Sequence, residues 1–418
     1  MAVARAPLTV DAARERAAQR RRLRRSERLR RWQAALLVAP LLLFLLVSFL
    51  LPIAGMLWRS VDNPELRTAM PATAALIRDW NGEGLPDEQV FATFAAELRE
   101  AYEARTLASV AKRLAYELPG FRSLLMTTGR GLPQQPAGSW RETLIGLEPQ
   151  WGEPATWVVI QRAAAPLTPL YLLAALDRHQ DATGAIVRAP PDEAIYVNIF
   201  VRTFWIGFVV TFWCLLLGYP LAYKLASLPL RISNLLLILV LLPFWTSLLV
   251  RTAAWVVLLQ REGPINGLLQ GLAITDQPLQ LVYNRFGIYV AMTHILLPFM
   301  VLPLYSVMRG IPPQYMRAAA SLGARPLRAF VRVYLPQTVP GVGAGCLLVF
   351  ILAIGYYITP ALVGGANDQM VSYFVAFFTQ QTINWGMAAA LSAVLLAATL
   401  ILFAVYARLV GLDRLKLS

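Results

Sequence analysis

Along this chain, long apolar stretches alternate with polar ones. Six are long enough to cross a bilayer: about Gln33–Leu57, Thr203–Ala222, Ile232–Val250, Gly287–Met308, Thr338–Ile358 and Gly386–Ala407. A helix needs ~20 mostly apolar residues to span ~30 Å of hydrocarbon, and these runs are close to that length or beyond it. Pro40, Pro243 and Pro298 fall inside them. In a membrane, neighbouring helices satisfy the backbone groups that a proline frees, so they do not exclude spans. The first run, Trp32–Trp58, holds 27 residues without a charge. A signal peptide has an apolar region of only ~7–15 residues, so a retained anchor is expected.

Residues 59–198 form the one sizeable polar region. Asp87–Leu118 is rich in Ala, Leu, Glu and Arg, with apolar positions at helical spacing, which predicts one or two amphipathic helices. "GLPQQPAG" and "APPDEA" read as loops. "ATWVVI", Ala155–Ile160, is expected to be a strand. The expected fold class is an all-α integral membrane protein with about six transmembrane helices and one insertion between the first two.

Composition supports this: 57% of the 418 residues are hydrophobic. Charge then sets orientation. With both termini in the cytosol, the inside segments 1–32, 223–231, 309–337 and 408–418 carry 21 basic residues against four acids. The outside segments carry 16 basic residues against 20 acids. This is the positive-inside pattern, and it accounts for the net charge of +14 without nucleic acid. "RRRLRRSERLRR", Arg20–Arg31, reads as a topology determinant; the same run would also attract anionic membrane lipids, at about 1 kcal/mol per basic residue. The two cysteines, Cys214 and Cys346, both lie in apolar runs, so no disulfide framework is implied. His179 and His294 are far apart and form no metal-ligand spacing. The insertion shows no nucleophile–base constellation, and no G-x-x-x-x-G-K-[ST] loop occurs. The chain is therefore expected to be neither an enzyme nor a holder of its own cofactor.

The longest inside loop contains "RAAASLGARPLRAFVRVYLP", Arg317–Pro336, with four arginines and no acid. Gly323 is placed to end one short helix, and a second is expected from Pro326 to Pro336. An Ala-rich face leaves no bulk and can sit flush in a groove of another protein; a connector lying on the bilayer would look similar. The segment resembles the coupling-loop signature of ABC importer permeases. Ala318, Ala319, Gly323, Leu335 and Pro336 match at the family's offsets, Val333 stands at the Ile position, and Arg317 stands where the family usually has Glu.

Other stretches strengthen the resemblance to the spermidine/putrescine-type permeases: "GYPLAY" (Gly218–Tyr223), Leu242–Asn266, Leu297–Tyr305, Gly341–Phe350, "TPALVGG" (Thr359–Gly365) and "NWGMAAAL" (Asn384–Leu391). The resemblance covers roughly residues 195–415. It implies a second permease subunit, a cytosolic ATPase dimer that binds the ATP, and an external solute-binding protein. It also implies an inner-membrane location and an ATPase-coupling role for Arg317, Ala318, Ala319, Gly323, Leu335 and Pro336. The organisation expected is a cytosolic arm (1–32), a first transmembrane helix (33–58), an external insertion (59–198), a permease core with five further spans and a coupling loop (199–409, loop 309–337), and a cytosolic tail (410–418).

Trp245, Tyr356 and Tyr357 are candidates to line the solute path; the competing reading is an interfacial aromatic belt, which also fits Trp385. "GVGAG" in span five opens a membrane helix and predicts close helix packing. No span contains Asp or Glu. For a polyamine, carboxylates would then come from the binding protein or the second permease; otherwise the solute is of another kind, such as an amino-acid derivative. Two rival classes remain at this level: a secondary transporter and a membrane-anchored external receptor or scaffold.

Overall fold

The computed structural model describes residues 32–33, 35–136, 138–181 and 184–410. The run Arg20–Arg31 and the tail beyond 410 lie outside the described residues. Two compact units are present, divided after Trp58.

In the first unit, α1 (Ala35–Trp58) is a single apolar helix of 24 residues. One π turn, Leu46–Leu50, closes through the Leu51 N–H on the Leu46 carbonyl, just before Pro52. A proline removes a donor and its ring meets the carbonyl four residues back. The wider π register moves that carbonyl aside, so the helix runs on.

The second unit begins with a helical domain: α2 (Glu65–Ala69), α3 (Pro71–Arg78), α4 (Glu88–Glu103), α5 (Leu107–Ala115), α6 (Phe121–Gly131), α7 (Trp140–Leu147), α8 (Pro154–Ala164) and α9 (Leu170–Ala174). A hairpin of β1 (Arg178–Gln180) and β2 (Ile186–Arg188) follows. The Ala155–Ile160 stretch, expected as a strand, is helical. Pro154 opens the helix, and Trp157, Ile160, Ala163 and Ala164 bury one face of it. Burial at helical spacing overrides the β-branched run. The core is aromatic. Trp157 lies 4.4 Å from Phe91 and Trp151 lies 4.9 Å from Phe94, ring centre to ring centre. Both indoles are satisfied, Trp151 donating to Thr128 Oγ1 and Trp157 to the Trp151 carbonyl.

This domain is fastened to the membrane helices at several points. Both carboxylate oxygens of Asp177 accept from the first backbone amides of α10 (Tyr196–Ser227), at 2.8 Å each. That caps a helix whose N-terminus favours negative charge. Lys112 donates to the carbonyls of Thr382 and Ile383, and the Tyr171 ring covers Gly386 with no room for a Cβ.

The membrane core continues with α11 (Leu230–Leu241), α12 (Leu248–Leu259), α13 (Pro264–Gly271), α14 (Arg285–Gly310), α15 (Gln314–Ser321), α16 (Pro326–Gly355), α17 (Ile358–Val363), α18 (Val371–Gln380) and α19 (Trp385–Val410). Among the described residues five helices are long and apolar enough to cross a membrane, or six if one bent pair is a single span. The protein is thus helical and multi-pass, as expected.

Three local expectations need correction. Ile232–Val250 is not one continuous helix: Leu230–Trp245 and Leu248–Gly271 meet at 94°. Pro243 turns the last residues into a 3₁₀ turn, and Thr246 and Ser247 are extended, so no helical hydrogen bond crosses the break. Secondly, no separate helix stops at Pro336. A π turn, Phe330–Tyr334, again precedes the Leu-Pro pair and carries α16 straight through into the membrane. Finally, span five ends at Gly355 rather than Ile358, because Tyr356 is extended.

Packing of the core helices rests on glycine. A Cβ on Gly218 would stand 3.0 Å from Met300 Cγ, one on Gly345 2.7 Å from Met300 Sδ, and one on Gly341 3.0 Å from Val307 Cβ. Small residues let α10, α14 and α16 approach closely. In lipid, that packing replaces the hydrophobic driving force between helices.

Candidate functional site

The segment following α14 is short, basic and firmly seated. Arg309, near the end of α14, donates to the carbonyls of Ala226 (2.8 Å) and Leu228 (3.2 Å) at the end of α10. A cation there satisfies orphan carbonyls and complements the helix dipole. Helix α15 then ends because Gly323 adopts φ +79°. Its N–H bonds the Ala320 carbonyl while the Ala324 N–H bonds that of Ala319, the paired closure that a left-handed glycine permits. An L-residue in that conformation costs about 1–2 kcal/mol.

The two sides of this segment differ. Ala319 and Ala329 are buried, and Met316, Phe330 and Tyr334 pack against the membrane core. Tyr223 of the "GYPLAY" stretch sets its ring edge-on against Phe330 (5.6 Å) and Tyr334 (5.2 Å), and Tyr219 shares its hydroxyl with Thr338 Oγ1 at 3.1 Å. The outer side is open. Arg317, Ala318, Gly323 and Pro336 are exposed, Leu335 is half-buried, and Leu322 and Leu327 are 89% and 76% exposed. Of the six residues picked from the sequence, Ala319 thus faces inward and acts as packing. Leu322 and Leu327, which sequence reasoning missed, offer the largest apolar surface. Their signal was their place among arginines in a segment otherwise poor in leucine.

The path candidates are not brought together. Trp245 sits at the bend, 80% exposed. Tyr356 is half-buried against the core, and Tyr357 lies 6.3 Å from the Tyr373 ring. Among the described residues no ring contact joins Trp245 to either tyrosine.

A polar group does assemble near the bend. The Trp255 indole of α12 donates to His294 Nδ1 of α14 (3.1 Å), and Thr252 shares its hydroxyl with Thr359 of α17 (3.1 Å). Arg251 lies within electrostatic reach of His294 and Tyr356. The sequence placed Arg251 one residue beyond a span; the bend puts it beside α14 instead. Among the described residues no cluster of His, Cys, Asp and Glu could hold a metal, and Cys214 and Cys346 are free.

Comparison with known proteins places this arrangement. Residues 203–412 match the model of the binding-protein-dependent transport system inner membrane component family. The spermidine/putrescine transport system permease protein PotB of Salmonella typhimurium (strain SL1344) is 33% identical over 226 residues, 54% of this chain and 79% of that protein. PotB of Escherichia coli K12 is 34% identical over 216 residues, 52% and 78% respectively. A solved bacterial alginate ABC transporter, in complex with a periplasmic protein bound to an alginate pentasaccharide, aligns at TM-score 0.46 and 15% identity over 52% of this chain and 78% of its own. The match begins in α10, so α1 and the helical domain of α2 to α9 stand outside the family's shared part. This chain belongs to the family of binding-protein-dependent transport system inner membrane components, and is an ABC importer permease that passes several times through the inner membrane.

Proposed function

We propose that this permease is one half of the translocation path of an importer for a small cationic solute of the polyamine class. A second permease completes the path, a cytosolic ATPase dimer docks on the segment from α15 to the π turn, and an external binding protein delivers the solute. The observation that carries this reading is the two-sided coupling segment. Its inner side is locked by aromatic contacts to α10, and its second part, from Pro326, is the start of α16 itself, while its outer side presents Leu322, Leu327 and four arginines. A push on that outer side moves two core helices together. The solute class rests on what the two PotB relatives are named for. ATP is bound by the partner ATPase, and both termini face the cytosol, in keeping with the distribution of Arg and Lys.

A second reading keeps the machine and changes the cargo. The spans carry no acid, whereas a polyamine held in the membrane calls for carboxylates; an amino-acid derivative would not. Measuring what the cognate binding protein binds separates the two. A secondary transporter would need its own coupling-ion site. A receptor or scaffold would leave the close-packed core without a role.

Purification of the intact complex tests the machine: an ATPase and a second permease should come with this chain. A chain that purifies alone and transports on an ion gradient would overturn the proposal. Arg317 tests the docking chemistry. Exposed ion pairs contribute ~0.2–1 kcal/mol, so Arg317→Glu should lower ATPase retention or uptake by no more than about fivefold, and Arg317→Ala by less. If both variants match the wild type, the charge at this position has no docking role.

A further inference from the structure

The guanidinium of Arg251 is buried in part, and two of its three nitrogens are unsatisfied. Its Nε and Nη1 are both shielded from solvent and neither has a hydrogen-bond partner. Helix α12 carries Arg251, Trp255 and Leu259 along one stripe, and that stripe packs on α14 and α17 through the Trp255–His294 and Thr252–Thr359 hydrogen bonds. His294 lies nine residues beyond Arg285, the first residue of α14, or about 13 Å along the helix axis. Arg251 stands one turn before Trp255 on that stripe and is half-buried, within electrostatic reach of His294.

The two groups placed within its electrostatic reach, His294 and Tyr356, carry no negative charge. His294 accepts the indole proton on Nδ1, so a neutral ring keeps its own proton on Nε2, a donor. Tyr356 adds a hydroxyl, and Arg251 stands in the first turn of α12, where the helix dipole is positive. Among the described residues no ion pair joins an acid of this chain to Arg251, and Asp368 is engaged by Arg285 at 2.7 Å. The site calls for a carboxylate, which the apolar spans of this chain do not contain.

Timing decides where that carboxylate comes from. A guanidinium whose nitrogens are shielded from water without a counter-charge is unfavourable. A solute occupies the path only in passing, so a solute carboxylate would leave the charge uncompensated through most of the cycle. A polyamine would be repelled outright. A permanently associated chain compensates it in every state, and α12 leaves Leu249, Val250 and Val257 exposed for such a neighbour. Resting on the two-permease reading above, we infer that Arg251 forms a buried ion pair with an Asp or Glu side chain of the second permease, at the bend between α11 and α12.

The test uses the complex of both permeases and the ATPase, purified through a tag on this chain; co-purification of the wild-type complex comes first, and its failure would sink the two-permease reading itself. With that complex in hand, Arg251→Asp should reduce the second permease recovered by more than tenfold, Arg251→Gln should reduce it less, and Arg251→Lys should retain most of it. Each Asp and Glu in the spans of the second permease is then replaced by Arg in the Arg251→Asp background. One such reversal should restore both recovery and uptake, a rescue that a misfolded chain could not show. If Arg251→Asp leaves the complex intact and changes only the solute concentration needed for half-maximal uptake, the carboxylate belongs to the solute and the inference fails. It fails equally if no reversal rescues.

Discussion

Gly345→Leu is expected to abolish uptake, with a loss of well over tenfold and a large fall in the amount of folded permease. Met300 is held between two glycines: a Cβ on Gly345 would reach 2.7 Å from its Sδ and 3.2 Å from its carbonyl oxygen, and a Cβ on Gly218 would reach 3.0 Å from its Cγ. The thioether could swing away only toward α10, which Gly218 already holds close, and the carbonyl cannot move without α14. Overpacking a tight core commonly costs about 1–3 kcal/mol. Here the side chain adds four carbons where even one does not fit, so α14 and α16 must separate. Thermal unfolding in detergent, followed by intrinsic fluorescence, measures the effect. Met300→Ala combined with Gly345→Ala should recover much of what Gly345→Ala loses, because the pair restores the missing space. If Gly345→Leu unfolds and transports like the wild type, the close approach of these helices is wrong.

The second large effect is expected at Arg113, which is 1% exposed. Its Nε donates to Asn63 Oδ1 at 2.7 Å, Nη1 to Glu117 Oε1 at 2.9 Å and Nη2 to Thr168 Oγ1 at 3.3 Å, and its guanidinium lies 5.9 Å from the Tyr171 ring centre. Asn63 in turn donates to the Ala163 and Ala165 carbonyls at 2.9 Å. One side chain thus joins the residues before α2 to α5 and the start of α9, and Asn63 extends the tie to the end of α8. Burial pushes the Tyr171 phenol well above its usual range despite the nearby guanidinium, so its hydroxyl stays neutral and offers no compensating charge. Removing one partner of a buried pair costs about 3–5 kcal/mol; Glu117 would keep only its longer ion pair with Arg162, at 3.9 Å, and the hydrogen bonds to Asn63 and Thr168 would be lost as well. Arg113→Met in the full-length protein should therefore speed amide exchange across α4 to α8 by a hundredfold or more, with α14 and α16 protected as before. Unchanged exchange in α4 to α8 would show that the network contributes little.

Much of this architecture was legible in the chain because hydrophobic length and charge are local properties. The helices α10, α14, α16 and α19 overlap their predicted runs, differing chiefly at their ends. The coupling loop could be found because Gly323 carries a conformational demand that its neighbours do not. What escaped was decided by contacts distant in sequence. A proline inside an apolar run reads as a kink, and nothing local distinguishes that from the 94° break at Thr246. Pro336 looked like a stop because the widened turn that accommodates it leaves no mark in the residue pattern. Ala155–Ile160 reads equally well as strand or helix until Trp157 finds Phe91. Arg251 read as a loop residue at a span boundary, and only the bend that folds α12 against α14 places it beside α14. The alanines of α15 carried no hint that Ala318 faces out while Ala319 faces in.

The central claim is that force from a partner ATPase enters through the outer side of α15 and reaches α10 and α16 through its inner side. The most direct measurement is a disulfide between a cysteine at the exposed position 318 (Ala318→Cys) and one in the cleft of the ATPase, formed in vesicles holding the intact complex. Both native cysteines lie in membrane helices, Cys214 buried and Cys346 half-buried, so neither competes for the link. The account predicts a cross-link whose yield changes when ATP is bound, together with loss of uptake that a reductant reverses. No cross-link in any nucleotide state, with the complex shown to be intact, would contradict it.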